Sequence, residues 1–213
     1  MNTILKIMLA DDHAVVRSGL RRLLEQGGGM QVVAEADNGE QAYHMYSDFM
    51  PDIVVMDLSM PGMGGLEALR RILSKHPTAR IIVFSMHDNA AFATQALTAG
   101  ARGYVAKSGM ADDLLRAVRE VASGRSYISS SIAQKIALQS LTGDEDPMHK
   151  LSAREFEIFR LIVEGHSVES VSELLKISQK TVANYQTILK QKLGVSSPVE
   201  MVRLAIRYGV IEG

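Results

Sequence analysis

Between residues 4 and 124 the chain repeats one alternation five times: a short apolar run, then a stretch whose apolar residues recur every three or four positions. The runs Ile4–Ala10, Gln31–Ala36, Ile53–Asp57, Ile81–Ser85 and Gly103–Ala106 predict strands, and several are continuous enough to be buried on both faces, as parallel strands are. The segments Val15–Leu24, Gly39–Ser47, Leu66–Ser74, Ala90–Ala99 and Ala111–Ser123 predict amphipathic helices. Parallel strands need long crossovers, so five strand–helix units of this size imply a doubly wound α/β sheet. Such a sheet binds its ligands outside the carboxyl ends of the strands, where the strand order reverses.

This unit uses little more than half of the 213 residues, so a second domain is expected. Gly124–Ser130 closes the first unit, Ile132–Leu141 predicts a short connecting helix, and Thr142–Pro147 reads as an acidic, flexible linker. From Leu151 onward the pattern is all-helical, with segments near Ala153–Glu164, Val168–Leu175, Gln179–Leu193 and Pro198–Tyr208. The expected division is therefore 1–125, a connection over 126–150, and an all-α four-helix domain over 151–213.

Composition narrows the function classes. With no cysteine there is no disulfide framework or thiolate metal site, which fits a reducing cytoplasm, and the six histidines show no ligand spacing. The apolar run Ile4–Ala10 is stopped by Asp11 and Asp12, and nowhere do eighteen apolar residues follow one another, so the chain reads as soluble and unprocessed. A net charge of -1 excludes a uniformly basic nucleic-acid binder. Charge is nonetheless uneven: Lys176, Lys180, Lys190, Lys192, Arg203 and Arg207 share their stretch with a single acid, Glu200.

At the expected strand ends stand Asp11 and Asp12, Asp57, Ser85 and, just past the fifth strand, Lys107. Each alone has a bland reading as a helix cap or a solvated charge; together they converge on one sheet edge. Gathered carboxylates repel by roughly 4 kcal/mol per pair at 4 Å and an effective dielectric of 20, so a cation must offset them. With no histidine or thiolate cluster, the oxygen-only surroundings suit Mg²⁺. Asp57 is then placed as a nucleophile for phosphoryl transfer, with Lys107 neutralising the phosphoryl oxygens and Ser85 donating to them. A phosphatase using a nucleophilic Asp is the enzymatic alternative, but Asp57-Leu58-Ser59 lacks a second acid for turnover, so the chain is read as no enzyme acting on external substrates.

The set Ala10-Asp11-Asp12-His13, Met56-Asp57-Leu58-Ser59-Met60-Pro61-Gly62, Ser85 and Tyr104-Val105-Ala106-Lys107 resembles the receiver domain of two-component response regulators, a flavodoxin-like fold. The resemblance implies that Asp57 accepts phosphate from a sensor histidine kinase. It also implies that Asp12, Asp57 and the Ser59 carbonyl hold Mg²⁺ with Asp11 assisting through water, and that Ser85 and Tyr104 are the switch residues. Two positions depart from the pattern: Gly64, where many receivers carry an acidic or amide residue, and Ser108, where many carry proline.

In the C-terminal unit, Gly165-His166-Ser167 ends one helix and caps the next, and Ile177-Ser178 does the same for a third. Two short-linked helices make a helix-turn-helix, whose second helix, Gln179–Leu193, would enter the major groove. Lys180, Asn184, Tyr185, Thr187 and Lys190 have suitable DNA-contacting chemistry, while Val182, Ile188, Leu189 and Leu193 are expected in the core. By periodicity alone a helical protein-interaction module fits equally. Leu151-Ser152-Ala153-Arg154-Glu155-x-Glu157-Ile158, Gly165, Leu174-x-x-Ile177-Ser178-x-x-Thr181-Val182 and Lys192-Leu193 resemble the LuxR-type DNA-binding domain, and with the receiver this is the NarL/FixJ arrangement. The resemblance implies a cytoplasmic, phosphorylation-controlled transcriptional regulator that binds double-stranded DNA as a homodimer, and a receiver able to cover the recognition helix before phosphorylation.

Overall fold

The computed structural model describes residues 4–26, 28–109, 111–141 and 147–211. Six parallel strands lie in the order β2-β1-β3-β4-β5-β6: β1 (Leu5–Ala10), β2 (Met30–Ala36), β3 (Ile53–Met56), β4 (Ile81–Ser85), β5 (Gly103–Ala106) and β6 (Tyr127–Ile128). The crossovers are α1 (Ala14–Gln26), α2 (Gly39–Phe49), α3 (Gly65–Lys75), α4 (Ala90–Thr98) and α5 (Ala111–Ala122). The order reverses at β1, so the crevice between the ends of β1 and β3 is the expected ligand position.

Strand alternation builds two cores from one sheet. Ile7, Leu9, Ile53 and Val55 face Leu20 and Leu24 of α1 and Leu114 and Val118 of α5. Their neighbours Met8, Ala10, Val54 and Met56 face the opposite layer, with Ala42, Leu69, Ile72 and Phe92 from α2, α3 and α4. The five expected strands and helices are present, with ends shifted by at most two residues. The sixth strand was not expected: two residues carry no period, and Tyr127 and Ile128 become a strand only by pairing with Gly103 and Tyr104.

Beyond the sheet, α6 (Ser130–Leu141) packs on α4, with Ile132 fully buried. Residues 142–146 of the expected linker lie outside the described residues, and its last residue opens a 3₁₀ helix, Pro147–Lys150. Four helices follow: α7 (Ala153–Val163), α8 (Val168–Leu175), α9 (Gln179–Leu193) and α10 (Pro198–Arg207). Their starts are written in side chains. Ser152 and Glu155 form a capping box on α7, and Ser167, Ser178 and Ser197 accept from the third backbone N–H of α8, α9 and α10.

The two units share packed side chains. Phe92 of α4 meets the edge of Phe156 of α7 with ring centroids 4.9 Å apart, and the Gly62 N–H donates to the Leu174 carbonyl at 2.8 Å. The Gln95 side chain also donates to the Met148 carbonyl of the 3₁₀ helix. Among the described residues, no helix is long and apolar enough to cross a membrane.

Candidate phosphoacceptor site and DNA-facing helix

Asp11 and Asp57 follow the last residues of β1 and β3 and are almost wholly buried. One atom from each of Asp11, Asp12, His13 and Asp57 lies within 4.8 Å of the others. The Lys107 ammonium, reaching back from the end of β5, donates to Asp11 Oδ2 at 2.6 Å and to Asp57 Oδ2 at 2.7 Å. The other Asp57 oxygen accepts from the Leu58 N–H at 2.7 Å. Burial pushes the Asp57 carboxyl up from its ordinary range, and the hydrogen bond and charge of Lys107 oppose this without cancelling it. For Lys107 burial acts downward, but the bonds to Asp11 and Asp57 prevail and raise it, so the ammonium stays charged. One ammonium thus faces three clustered carboxylates. Among the described residues Asp12 Oδ1 is a buried oxygen that accepts no hydrogen bond, with His13 Nδ1 2.8 Å away. An oxygen-rich cluster with surplus negative charge and an unsatisfied carboxylate oxygen fits a hard divalent cation.

Ser85, fully buried, ends β4, and its Oγ accepts from the His87 N–H at 3.3 Å. Tyr104 on β5 is also fully inside, its hydroxyl donating to the His87 carbonyl at 2.7 Å. The Tyr104 ring is therefore turned inward in this structure. Gly65 is required where it stands: a Cβ there would lie 1.8 Å from the Asp57 carbonyl oxygen, so only glycine lets α3 start directly behind Asp57.

Two histidines escaped the sequence reading. His13 adjoins the acid cluster simply because it follows Asp12 in the chain, and a single histidine carries no ligand spacing. His87 accepts or donates across 2.8 Å to the Ser59 hydroxyl and stacks on Phe92 with centroids 3.8 Å apart. Burial, with the positive charges of Arg160 and Lys107, pushes it down to about 4, so it is a neutral imidazole at pH 7. No sequence spacing marks this pair, because Ser59 and His87 meet only through the parallel pairing of β3 and β4.

On α9 the outer face carries Lys180, Asn184 and Thr187, all exposed and spaced three or four residues apart. Lys190 is half-buried at the end of that stripe, and Tyr185 is half-buried against the core. Thr187 donates its hydroxyl back to the Ala183 carbonyl at 3.3 Å. Val182, Leu189 and Leu193 are core residues as expected, but Ile188 is not: it is 37% exposed. It sits one position, about 100° of helix, before Leu189 and four after Asn184, which puts it on the outer face. The receiver does not cover this face: Lys180, Asn184, Thr187 and Ile188 stay exposed, while the receiver meets α7, the end of α8, the 3₁₀ helix and, through Asn89, Gly209 after α10.

The response regulator receiver domain family matches residues 7–119, and the luxR family of bacterial regulatory proteins matches residues 149–205. The chain is 39% identical to the response regulator GacA of Pseudomonas aeruginosa over 98% of both chains. It is 40% identical to the response regulator UvrY of Escherichia coli over 97% of this chain and 95% of that one. Among solved structures it is similar to RcsB of Salmonella enterica serovar Typhimurium bound to promoter rprA in the presence of a phosphomimetic (28% identity, 94% of this chain and 97% of that one, TM-score 0.71). With an acid-lined switch point in one unit and a capped helix-turn-helix in the other, the chain belongs to the two-component response regulators of the NarL/FixJ type, transcriptional regulators that join a receiver to a LuxR-type DNA-binding domain.

Proposed function

We propose that Asp57 accepts a phosphoryl group from a histidine kinase and that the modified receiver, over residues 1–125, governs DNA binding by the domain at 151–213 through the connection at 126–150. The observation that carries this reading is the Asp57 carboxylate, held at the switch point by the Leu58 N–H and Lys107 beside Asp11 and Asp12. An Asp57 oxygen attacks phosphorus, the bond to the donor imidazole nitrogen breaks, and that imidazole leaves with the electron pair and is protonated from solvent. An acyl phosphate remains on Asp57. Lys107 stabilises the oxygens that gain charge, and Ser85 supplies a hydroxyl on their other side. Asp12, Asp57 and the Ser59 carbonyl would hold Mg²⁺, with Asp11 acting through water; bound there, the ion neutralises the carboxylates and the incoming phosphoryl oxygens.

The product adds roughly 1.5 to 2 negative charges and three acceptor oxygens beside Ser85 and Lys107. Ser85 is the group that senses them, and Tyr104, bonded to the same His87 segment, is held in place by that response. In the output domain Lys180 and Lys190 contact phosphates while Asn184 reads a base edge, with Tyr185 and Thr187 flanking. The phosphorylated chain acts in the cytoplasm as a homodimer on two half-sites of duplex DNA.

The test is mass spectrometry after treatment with Mg²⁺ and acetyl phosphate, paired with duplex affinity. The wild-type protein is expected to gain one phosphoryl group and tighter DNA binding, and Asp57→Asn to gain neither. Phosphorylation of Asp57→Asn at the wild-type level would overturn the assignment. A gain in affinity that persists in phosphorylated Ser85→Ala would remove Ser85 from the relay.

A further inference from the structure

Gly64 departs from the receiver pattern, and the output domain lies where the missing side chain would be. A Cβ on Gly64 would stand 1.9 Å from Glu157 Oε1 and 3.5 Å from the Leu58 carbonyl oxygen. Gly64 occupies the N-cap of α3 with φ -66 and ψ 164, a conformation any residue adopts, and makes no side-chain cap. Glycine is therefore not required there by the backbone. A larger residue there must instead push aside the Glu157 carboxylate of α7, which is 12% exposed and held at its other oxygen by Arg154 at 2.7 Å, so the seated carboxylate and a side chain at position 64 compete for one space. The same Arg154 donates to the Leu175 carbonyl at the end of α8, and the neighbouring Leu174 carbonyl receives the Gly62 N–H. Glu157, Arg154 and the end of α8 thus grip the loop from Leu58 to Gly65 as one unit.

That loop begins at the phosphoacceptor. The Leu58 N–H is bonded to Asp57 Oδ1, and the Leu58 carbonyl accepts the Gly65 N–H at 3.0 Å. Any change in the hydrogen bonding of the Asp57 carboxylate is passed through one residue to the two glycines, and Glu157 rests on the first of them.

We propose that Glu157 seated in the notch at Gly64 is the lock that docks the DNA-binding domain on the phosphoacceptor loop, and that phosphorylation of Asp57 loosens it. The second half rests on the reading of Asp57 as phosphoacceptor; the first does not. Phosphorylation withdraws Asp57 Oδ1 from the Leu58 N–H, shifts the loop, and adds negative charge on the side of the loop opposite a buried carboxylate. Docking fixes where α9 points relative to the receiver without covering it, so release alters the placement of two recognition helices on DNA.

The chain has no cysteine, so spin labels can be placed on Arg22→Cys of α1 and Gln191→Cys of α9, both exposed positions, and their separation measured in the full-length protein. Unphosphorylated wild-type protein is expected to give one narrow distance distribution. Gly64→Asn, which caps α3 and so favours the receiver fold, should raise the separated fraction about tenfold or more, through overpacking at the interface alone. Glu157→Ala should loosen docking by itself, and adding Gly64→Asn in that background should cause no further separation, because the clash is gone. A narrow distribution in Gly64→Asn, or an equal further loss in the Glu157→Ala background, overturns the lock. Acetyl phosphate with Mg²⁺ should broaden the wild-type distribution; an unchanged distribution in protein shown by mass spectrometry to carry the phosphoryl group overturns the coupling. Failure of Asp57 to take up a phosphoryl group overturns the phosphoacceptor reading and the coupling with it, while the lock is judged on the unphosphorylated variants.

Discussion

The carboxyl edge of the sheet and the outer face of α9 are both expected to carry function, yet the protein holds them in opposite ways. At the sheet edge the chemistry is buried and crowded: Asp11, Asp57 and Lys107 satisfy one another, and each would be costly alone. On α9, Lys180 and Asn184 are exposed and meet solvent. A buried polar site constrains its own residues through folding energy, so its composition follows from physical chemistry. An exposed reading face is constrained only by its partner, and folding energy says little about which residues it must carry.

The largest effect expected of this contrast is at Lys107. Replacing it with alanine leaves two buried carboxylates facing each other beside Asp12, and loss of one member of a buried charge set typically costs 3–5 kcal/mol, here about that range. Urea unfolding in EDTA should show it, and Mg²⁺ should recover much of the loss. A Lys107→Ala protein as stable as wild type without a divalent ion would mean that the site is wetter, and less constrained, than its geometry indicates.

Asp57→Asn should move stability the other way. Because burial raises the Asp57 carboxyl, the folded protein holds that proton more tightly than the unfolded chain. Its ionisation is thus neutral toward stability below the ordinary carboxylate range and becomes unfavourable as pH rises through the folded value. Metal-free Asp57→Asn is therefore expected to melt above wild type at pH 7, with the gap closing as pH falls toward 4. Mg²⁺ should raise the melting temperature of wild type more than that of the variant. Equal melting curves at pH 7 in EDTA would show that Lys107 fully offsets the burial.

The same contrast explains what could be read from the sequence. The strands, the crossover helices and the acids at their ends were legible because burial forces both periodicity and pairing; Asp57 and Lys107 are fifty residues apart, and only charge compensation relates them. Contacts made by chance of topology were not legible. Ser59 meets His87 because β3 and β4 are neighbours, Glu157 meets Gly64 because two domains dock, and β6 exists because β5 offers an edge. Ile188 shows the limit of counting apolar residues: it looks like core in the sequence, but the helix turns it outward beside Asn184. The LuxR-type pattern was legible only as resemblance, since a capped helical bundle with exposed lysines has no physical need of DNA.

A smaller effect, on DNA rather than on folding, is expected at Asn184. If it makes a bidentate base contact, Asn184→Ala should cost roughly 1–3 kcal/mol of discrimination between cognate and unrelated duplex while leaving the salt dependence nearly unchanged. Thermal stability should hold or rise slightly, because alanine is the better helix former at an exposed site. Binding measured on both duplexes across a salt series separates the two quantities. A uniform loss on all duplexes would reassign Asn184 to the backbone.

The smallest expected effects divide two lysines that look alike in the sequence. Lys192 donates to Glu155 Oε2 at 2.7 Å and lies 3.3 Å from the Lys150 carbonyl, so it braces the capping box of α7 from the far end of α9. Lys190 continues the outer stripe of Lys180, Asn184 and Thr187. Lys192→Ala should therefore lower stability by roughly 0.5 kcal/mol, the scale of a part-exposed ion pair, and leave the salt slope of DNA binding unchanged. Lys190→Ala should do the reverse, with stability constant within about 0.5 kcal/mol and the slope of log affinity against log salt flatter by about one unit per chain. Urea midpoints and salt titrations on the two variants give four numbers. If Lys192→Ala flattens the slope as much as Lys190→Ala, the groove-facing surface wraps further around α9 than the stripe of Lys180, Asn184 and Thr187, and the brace on Glu155 is also a phosphate contact.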